Sequence, residues 1–179
     1  MNRLLLRTSL TALLALGLTA CATDTHRQAD VARRGAEVMP FSLQATTHIF
    51  IKTADGGRQR VVAKRATDEQ QTQSIRQHLQ EIKTQFEQGD FAAPSHIHGD
   101  AMPGLARLKA AKPGEIWITY EDVISGGQLQ YRTSNAELVA ALHAWFDAQL
   151  SDHGSDAMSG HEQHHLDHHQ HDHQDQSKQ

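Results

Sequence analysis

Residues 47–64 read THIFIKTADGGRQRVVAK. Thr47-His48-Ile49-Phe50-Ile51-Lys52-Thr53 is β-branched and aromatic, the composition of a strand. Ala54-Asp55-Gly56-Gly57 follows, a turn in which glycine accepts positive φ. Arg58 to Lys64, with Val61 and Val62, returns as the partner strand. Next, Thr67 and Gln70 have the spacing of a capping box. Ile75, Leu79, Ile82 and Phe86 then recur at intervals of four, three and four, one face of a helix that Gly89 stops. The unit is a hairpin followed by an amphipathic helix.

The same order recurs downstream. Asp90 to Met102 reads as a loop, and Pro103 opens a short helix through Leu105 and Leu108. Glu115 to Tyr120 is a strand, Ser125-Gly126-Gly127 a turn, and Gln128 to Thr133 its return. Ser134 with Glu137 is a second capping box, and Leu138, Leu142, Trp145 and Phe146 mark a helix to about Leu150. The expected fold is α+β, ββα-connector-ββα. It is a four-stranded antiparallel sheet with two main helices on one face. Residues 38–150 make that domain, and 151–179 read as a disordered histidine-rich tail, since Ser, Asp, Gly, Gln and His cannot build a core.

Upstream, Arg3 and Arg7 precede an apolar stretch, Leu10 to Ala20, too short to span a bilayer, which takes ~20 apolar residues. It has the layout of an export signal. Leu18-Thr19-Ala20-Cys21 resembles the bacterial lipoprotein signal: an apolar residue, two small ones, then cysteine. The resemblance implies a signal peptide over 1–20, acylation at Cys21 and a lipidated tether over 21–37. Several acyl chains on one residue anchor firmly where a single chain does not. Ala22 in place of Asp implies the outer membrane, with the domain on its periplasmic face. A plain secretory signal with a chance cysteine is the alternative.

Removal of residues 1–20 takes away two arginines and no acid, so the net charge moves from −4 to −6 with neutral histidine. That balance excludes nucleic acid as an expected partner. Cys21 is the only cysteine. Once acylated it leaves no disulfide and no thiolate ligand, so metal chemistry falls to His, Met, Asp and Glu.

Histidine is abundant where it is needed. Residues 161–173 read HEQHHLDHHQHDH and carry His161, His164, His165, His168, His169, His171 and His173. Imidazole with a reference pKa of ~6.5 keeps a free lone pair near neutral pH. Pairs four apart share a helical face, and His169-x-His171-x-His173 suits an extended grip. Such a segment takes Zn²⁺, Cu²⁺ or Ni²⁺, Cu²⁺ most tightly, with little geometric selectivity. The competing use is a solubilising, pH-responsive polar tail.

Inside the domain, His98, Met102, His143 and His153 form a candidate His/Met site suited to copper, including Cu⁺, if the last helix packs near the 96–102 loop. Otherwise Met102 fills a core gap and His143 bonds at a helix edge. His48 and His78 read as structural. Catalytic signatures are lacking: no nucleophile elbow, no HExxH and no phosphate-binding glycine loop.

Arg34-Gly35-Ala36-Glu37-Val38-Met39-Pro40-Phe41, Thr46-Thr47-His48-Ile49-Phe50, Ile97-His98-Gly99 with Met102-Pro103-Gly104, and Ala141-Leu142-His143-Ala144-Trp145-Phe146-Asp147-Ala148-Gln149 resemble a family of small exported bacterial proteins. That family often carries the label aspartate carbamoyltransferase. A carbamoyltransferase resembles a larger pair of α/β domains with an S-T-R-T phosphate loop, which this sequence lacks. The resemblance therefore implies a defined domain and no particular reaction. The expectation is a non-enzymatic, lipid-anchored protein of the cell envelope that buffers, sequesters or hands on a transition metal. The alternative is an envelope interaction module, with a protein partner, whose metal binding is incidental.

Overall fold

A computed structural model describes the backbone of residues 16–160 and the side chains of 25–160. Helix α1 spans Leu16–Val38, β1 Thr46–Thr53, β2 Gly56–Ala63 and α2 Glu69–Glu87. Two short helices follow, α3 (Ala92–His98) and α4 (Leu105–Lys109). The chain then forms β3 (Trp117–Val123), β4 (Gly126–Arg132), α5 (Ala136–His153) and β5 (Ala157–Ser159). The fold is α+β, with five helices among the described residues and one five-stranded sheet in the order β3-β4-β2-β1-β5.

Both hairpins form, and they join through antiparallel pairing of β2 with β4. The sheet is nonetheless mixed, not purely antiparallel, because β5 adds in parallel to the free edge of β1, with His48 opposite Ala157 and Phe50 opposite Ser159. Residues 151–160 of the expected disordered tail are corrected: α5 runs three residues past Leu150, and the Gly160 N–H donates to the Phe50 carbonyl at 3.0 Å, while 161–179 lie outside the described residues. Lys64 helps to pin this return by pairing with Asp156 at 2.9 Å. A three-residue strand, Ala157-Met158-Ser159, is too short to show a hydrophobic period. Its stability comes from the unpaired edge it covers.

The sheet face formed by Phe50, Val61, Leu129 and Tyr131 carries the core. Ile75, Leu79, Ile82 and Phe86 of α2 and Leu138, Leu142, Trp145 and Phe146 of α5 complete it. A Cβ on Gly57 would stand 2.4 Å from the Phe146 ring, so this glycine is the seat of that ring. Gly56-Gly57 and Gly126-Gly127 therefore open return strands instead of forming the turns; the turns are Ala54-Asp55 and Ile124-Ser125, the latter with Ser125 at φ 61°. On the opposite face Arg60, Gln128 and Glu121 bond across β2, β4 and β3.

The caps lie one residue later than the spacing suggested. Asp68 accepts from the Gln71 N–H at 3.1 Å, and Asn135 from the Glu137 N–H at 2.9 Å. A short carboxylate or amide oxygen reaches these free N–H groups better than a hydroxyl does. The expected 90–102 loop contains α3, which tolerates Pro94 in its first turn, where no N–H is required.

The segment expected as a tether is helical. Residues 21–37 lie within α1, and this helix packs on the domain, with Val31 0% exposed. Among the described residues no helix is long and apolar enough to cross a membrane.

Candidate functional site: a buried histidine cluster

The C-terminus of α5, the last residue of α3, the middle of β1 and the side of α1 meet at one point. Asp152 and His153 end α5, and both are buried. His98 ends α3, His48 faces inward from β1, and Arg27 reaches over from α1.

Asp152 organises the cluster. His98 Nδ1 lies 2.8 Å from Asp152 Oδ2, and since a carboxylate only accepts, the imidazole N–H donates. Arg27 grips the same carboxylate with both ends of its fork: Nε to Oδ1, and Nη2 to Oδ2 at 2.7 Å. Arg27 Nη2 also donates to the His98 carbonyl at 3.3 Å, closing a ring of α1, α3 and α5. Burial opposes ionisation of Asp152, but the bonds from His98 and Arg27 outweigh it and hold the carboxyl below its usual range. A carboxylate held in this way fixes ring orientation and tautomer, as it does behind catalytic and metal-bound histidines.

His153 Nε2 lies 3.1 Å from Gln149 Oε1, one turn back along α5. Its ring stacks on His48 at 4.9 Å and 4°, and meets His98 edge-on at 5.2 Å and 76°. Burial drives His153 down to about 4, and the neighbouring His98 adds to the fall. Burial likewise places His48 well below the usual histidine range, helped by His153, His78 and His98. Two stacked, desolvated imidazoles tolerate no charge, so both are neutral at physiological pH.

A cavity of about 50 Å³ lies beside this cluster, lined by four histidines (48, 78, 98 and 153), Gln59, Gln149 and Trp145 together with apolar side chains. Histidine density alone does not make it a metal centre. Among the described residues no group of three or more His, Cys, Asp or Glu side chains is placed to hold an ion. The geometry explains this. Imidazole lone pairs lie in the ring plane, and the parallel rings of His48 and His153 send theirs along parallel planes that never meet.

Of the four domain positions singled out from the sequence, His98 and His153 come together. Met102 and His143 do not join them. Met102 is 3% exposed within the main core. His143 Nε2 lies between the carbonyls of Thr53 (3.0 Å) and Gly56 (2.9 Å) and ties α5 to the β1–β2 turn. Ten residues of helix put His143 about 15 Å from His153, at the wrong end of α5. His161, His164, His165, His168, His169, His171 and His173 lie outside the described residues, as does the side chain of Cys21.

Three members escaped the sequence reading. His48 left a signal, since it alternates in register with Phe50, an inward position. Asp152 stands beside His153, but in a segment read as tail. Arg27 sits in a polar stretch with no apolar period to mark a docking helix. No protein-family model matches this chain, and neither a curated protein nor a solved structure does.

Proposed function

We propose that this chain is a lipid-anchored protein of the cell envelope, on the periplasmic face of the outer membrane. Its 161–173 segment captures a late first-row transition metal ion: zinc, copper or nickel. The observation that carries the reading is the density of donors and where they begin. Seven histidines fall in thirteen positions, and the first stands one residue beyond Gly160, where β5 ends its pairing with β1. Clustered imidazoles bind such ions in many arrangements, so no preformed cage is required. The folded domain serves as a mount. Among the described residues no three of its histidines and carboxylates are placed to hold one ion, and capture falls to the segment beyond the sheet. On this reading the chain binds and does not catalyse, and protonation of the tail near pH 5–6 releases the ion.

The interaction-module reading draws on a different observation. Trp117 is 71%, Ile124 88% and Met158 52% exposed. Large apolar side chains in water favour a protein partner when they are contiguous, and these three lie on separate strands and a turn.

The test is the metal content of the protein recovered from its native membranes after growth with ample copper and zinc. Near-stoichiometric or higher metal, removed by a chelator, is expected. Metal-free protein indifferent to chelators contradicts the reading.

A further inference from the structure

Two residues that line the 50 Å³ cavity each carry a buried polar atom with no hydrogen-bond partner among the described residues: His48 Nδ1 and Trp145 Nε1. Both are fully shielded, in residues 3% and 1% exposed. An unmade bond on a buried polar atom costs roughly 1–3 kcal/mol, so two at one cavity call for an occupant. The indole N–H only donates. Burial keeps His48 neutral, so one of its ring nitrogens carries the proton and the other a lone pair. An occupant that can both give and take a hydrogen bond serves Trp145 and either form of His48.

Charge narrows the choice further. No Lys, Arg, Asp or Glu lines the cavity. An unpaired ion there would lose its hydration without compensation. A carboxylate has no hydrogen to give, and an ammonium has no lone pair for the Trp145 N–H. A hydroxyl meets both while neutral, in less space than an amide. At about 10–15 Å³ per water-sized group, the chamber admits roughly three to five such groups. Besides the histidines, Trp145, Gln59 and Gln149 its wall is apolar, with Phe41, Leu79, Ile82 and Phe86. Its lining residues Val38, Met39 and Ala93, near the end of α1 and in α3, are half-buried, as are Gln59 and His78; the first three give the apolar way toward solvent.

We propose that this cavity binds a neutral alcohol, with its hydroxyl at His48 Nδ1 and Trp145 Nε1 and its unbranched apolar chain running out past Val38, Met39 and Ala93. The site is independent of the histidine tail and requires no metal.

The experiment uses the mature chain carrying Trp117→Phe. Trp117 is exposed and remote from the cavity, and its removal leaves Trp145 as the only indole. Emission is followed during titration with 1-alkanols from ethanol to hexanol, with hexanoate and hexylamine as charged controls. Saturable binding of the alkanols is expected, tightening about fourfold per methylene until the mouth is filled, with no saturation by either ion at neutral pH. His48→Phe, which keeps a ring and removes its nitrogens, should weaken hexanol at least tenfold. Should that variant fail to fold, the length series on the unmodified site still decides. No saturable response to any alkanol would mean that the cavity holds water only. Equal affinity for hexanol and hexanoate would mean a greasy cleft without a hydroxyl site. Either result overturns the proposal.

Discussion

Asp152 is the residue on which the buried cluster turns, and its substitutions separate charge from hydrogen bonding. Asp152→Ala leaves the His98 N–H buried without an acceptor and should cost about 1–3 kcal/mol in urea denaturation. Asp152→Asn keeps an oxygen for His98 and should cost less. Arg27→Gln should cost still less, under about 1 kcal/mol, since the Arg27 side chain is 46% exposed and water screens its pairing. Equal losses for all three would show that the ion pair, not the His98 bond, holds the cluster. The histidines set the pH dependence. His153 falls from 6.5 to about 4 on folding, and His48 falls as well. The unfolded chain therefore binds more protons between these values. The stability they contribute is complete above ~6.5 and is lost as pH falls toward 4. For His153 alone the loss is about 3 kcal/mol. His153→Phe should flatten the urea midpoint between pH 7 and 4.5; an unchanged slope would place the titration elsewhere. None of this was legible from residue type, because burial, not identity, depresses an imidazole. The sequence shows fourteen histidines and does not show which are dry.

At the scale of elements, periodicity was a good guide and punctuation a poor one. The α2 and α5 faces, Ile75 to Phe86 and Leu138 to Phe146, stand where their spacing put them. The glycine pairs were mistaken for turns because glycine serves two ends, positive φ and close approach, and a sequence does not say which. Gly104 needs both. It has φ 78°, and a Cβ there would stand 2.1 Å from the Ala141 carbonyl, where α4 meets α5. Gly104→Ala should cost more than about 2 kcal/mol, from left-handed strain plus the clash; a neutral result in thermal melts would contradict the close packing of α4 on α5. The tail boundary carries a sharper test. A chain ending at Leu150 loses Asp152, His153 and β5, exposes the edge of β1 and unties α1 from α5. It should aggregate or melt well below the parent. A chain ending at Gly160 should melt like the parent. If both ends melt alike, β5 and the α5 terminus contribute nothing to the fold.

Over the whole molecule, the sequence divides into parts that announce themselves and parts that answer to their neighbours. Hairpins and amphipathic helices belong to the first kind, because each carries its own hydrophobic period. Helix α1 and strand β5 belong to the second: segments without a hydrophobic period of their own, the one packed on α3 and α5 and the other on the edge of β1. The buried cluster is assembled from both kinds, which is why only His98 and His153 of the candidate set met in it. The resulting division of labour is simple. Within the described fold the buried histidines bond to Asp152 or Gln149 or stack on one another, His48 Nδ1 alone lacking a partner, and the donors proposed for the metal begin at His161. The most direct test is a side-by-side calorimetric titration of the mature chain and of the same chain ending at Gly160, with Zn²⁺ and Cu²⁺ at neutral pH. Micromolar or tighter uptake by the longer chain and none by the shorter is the outcome this account predicts. Equal uptake by the two, or none by either, would contradict it.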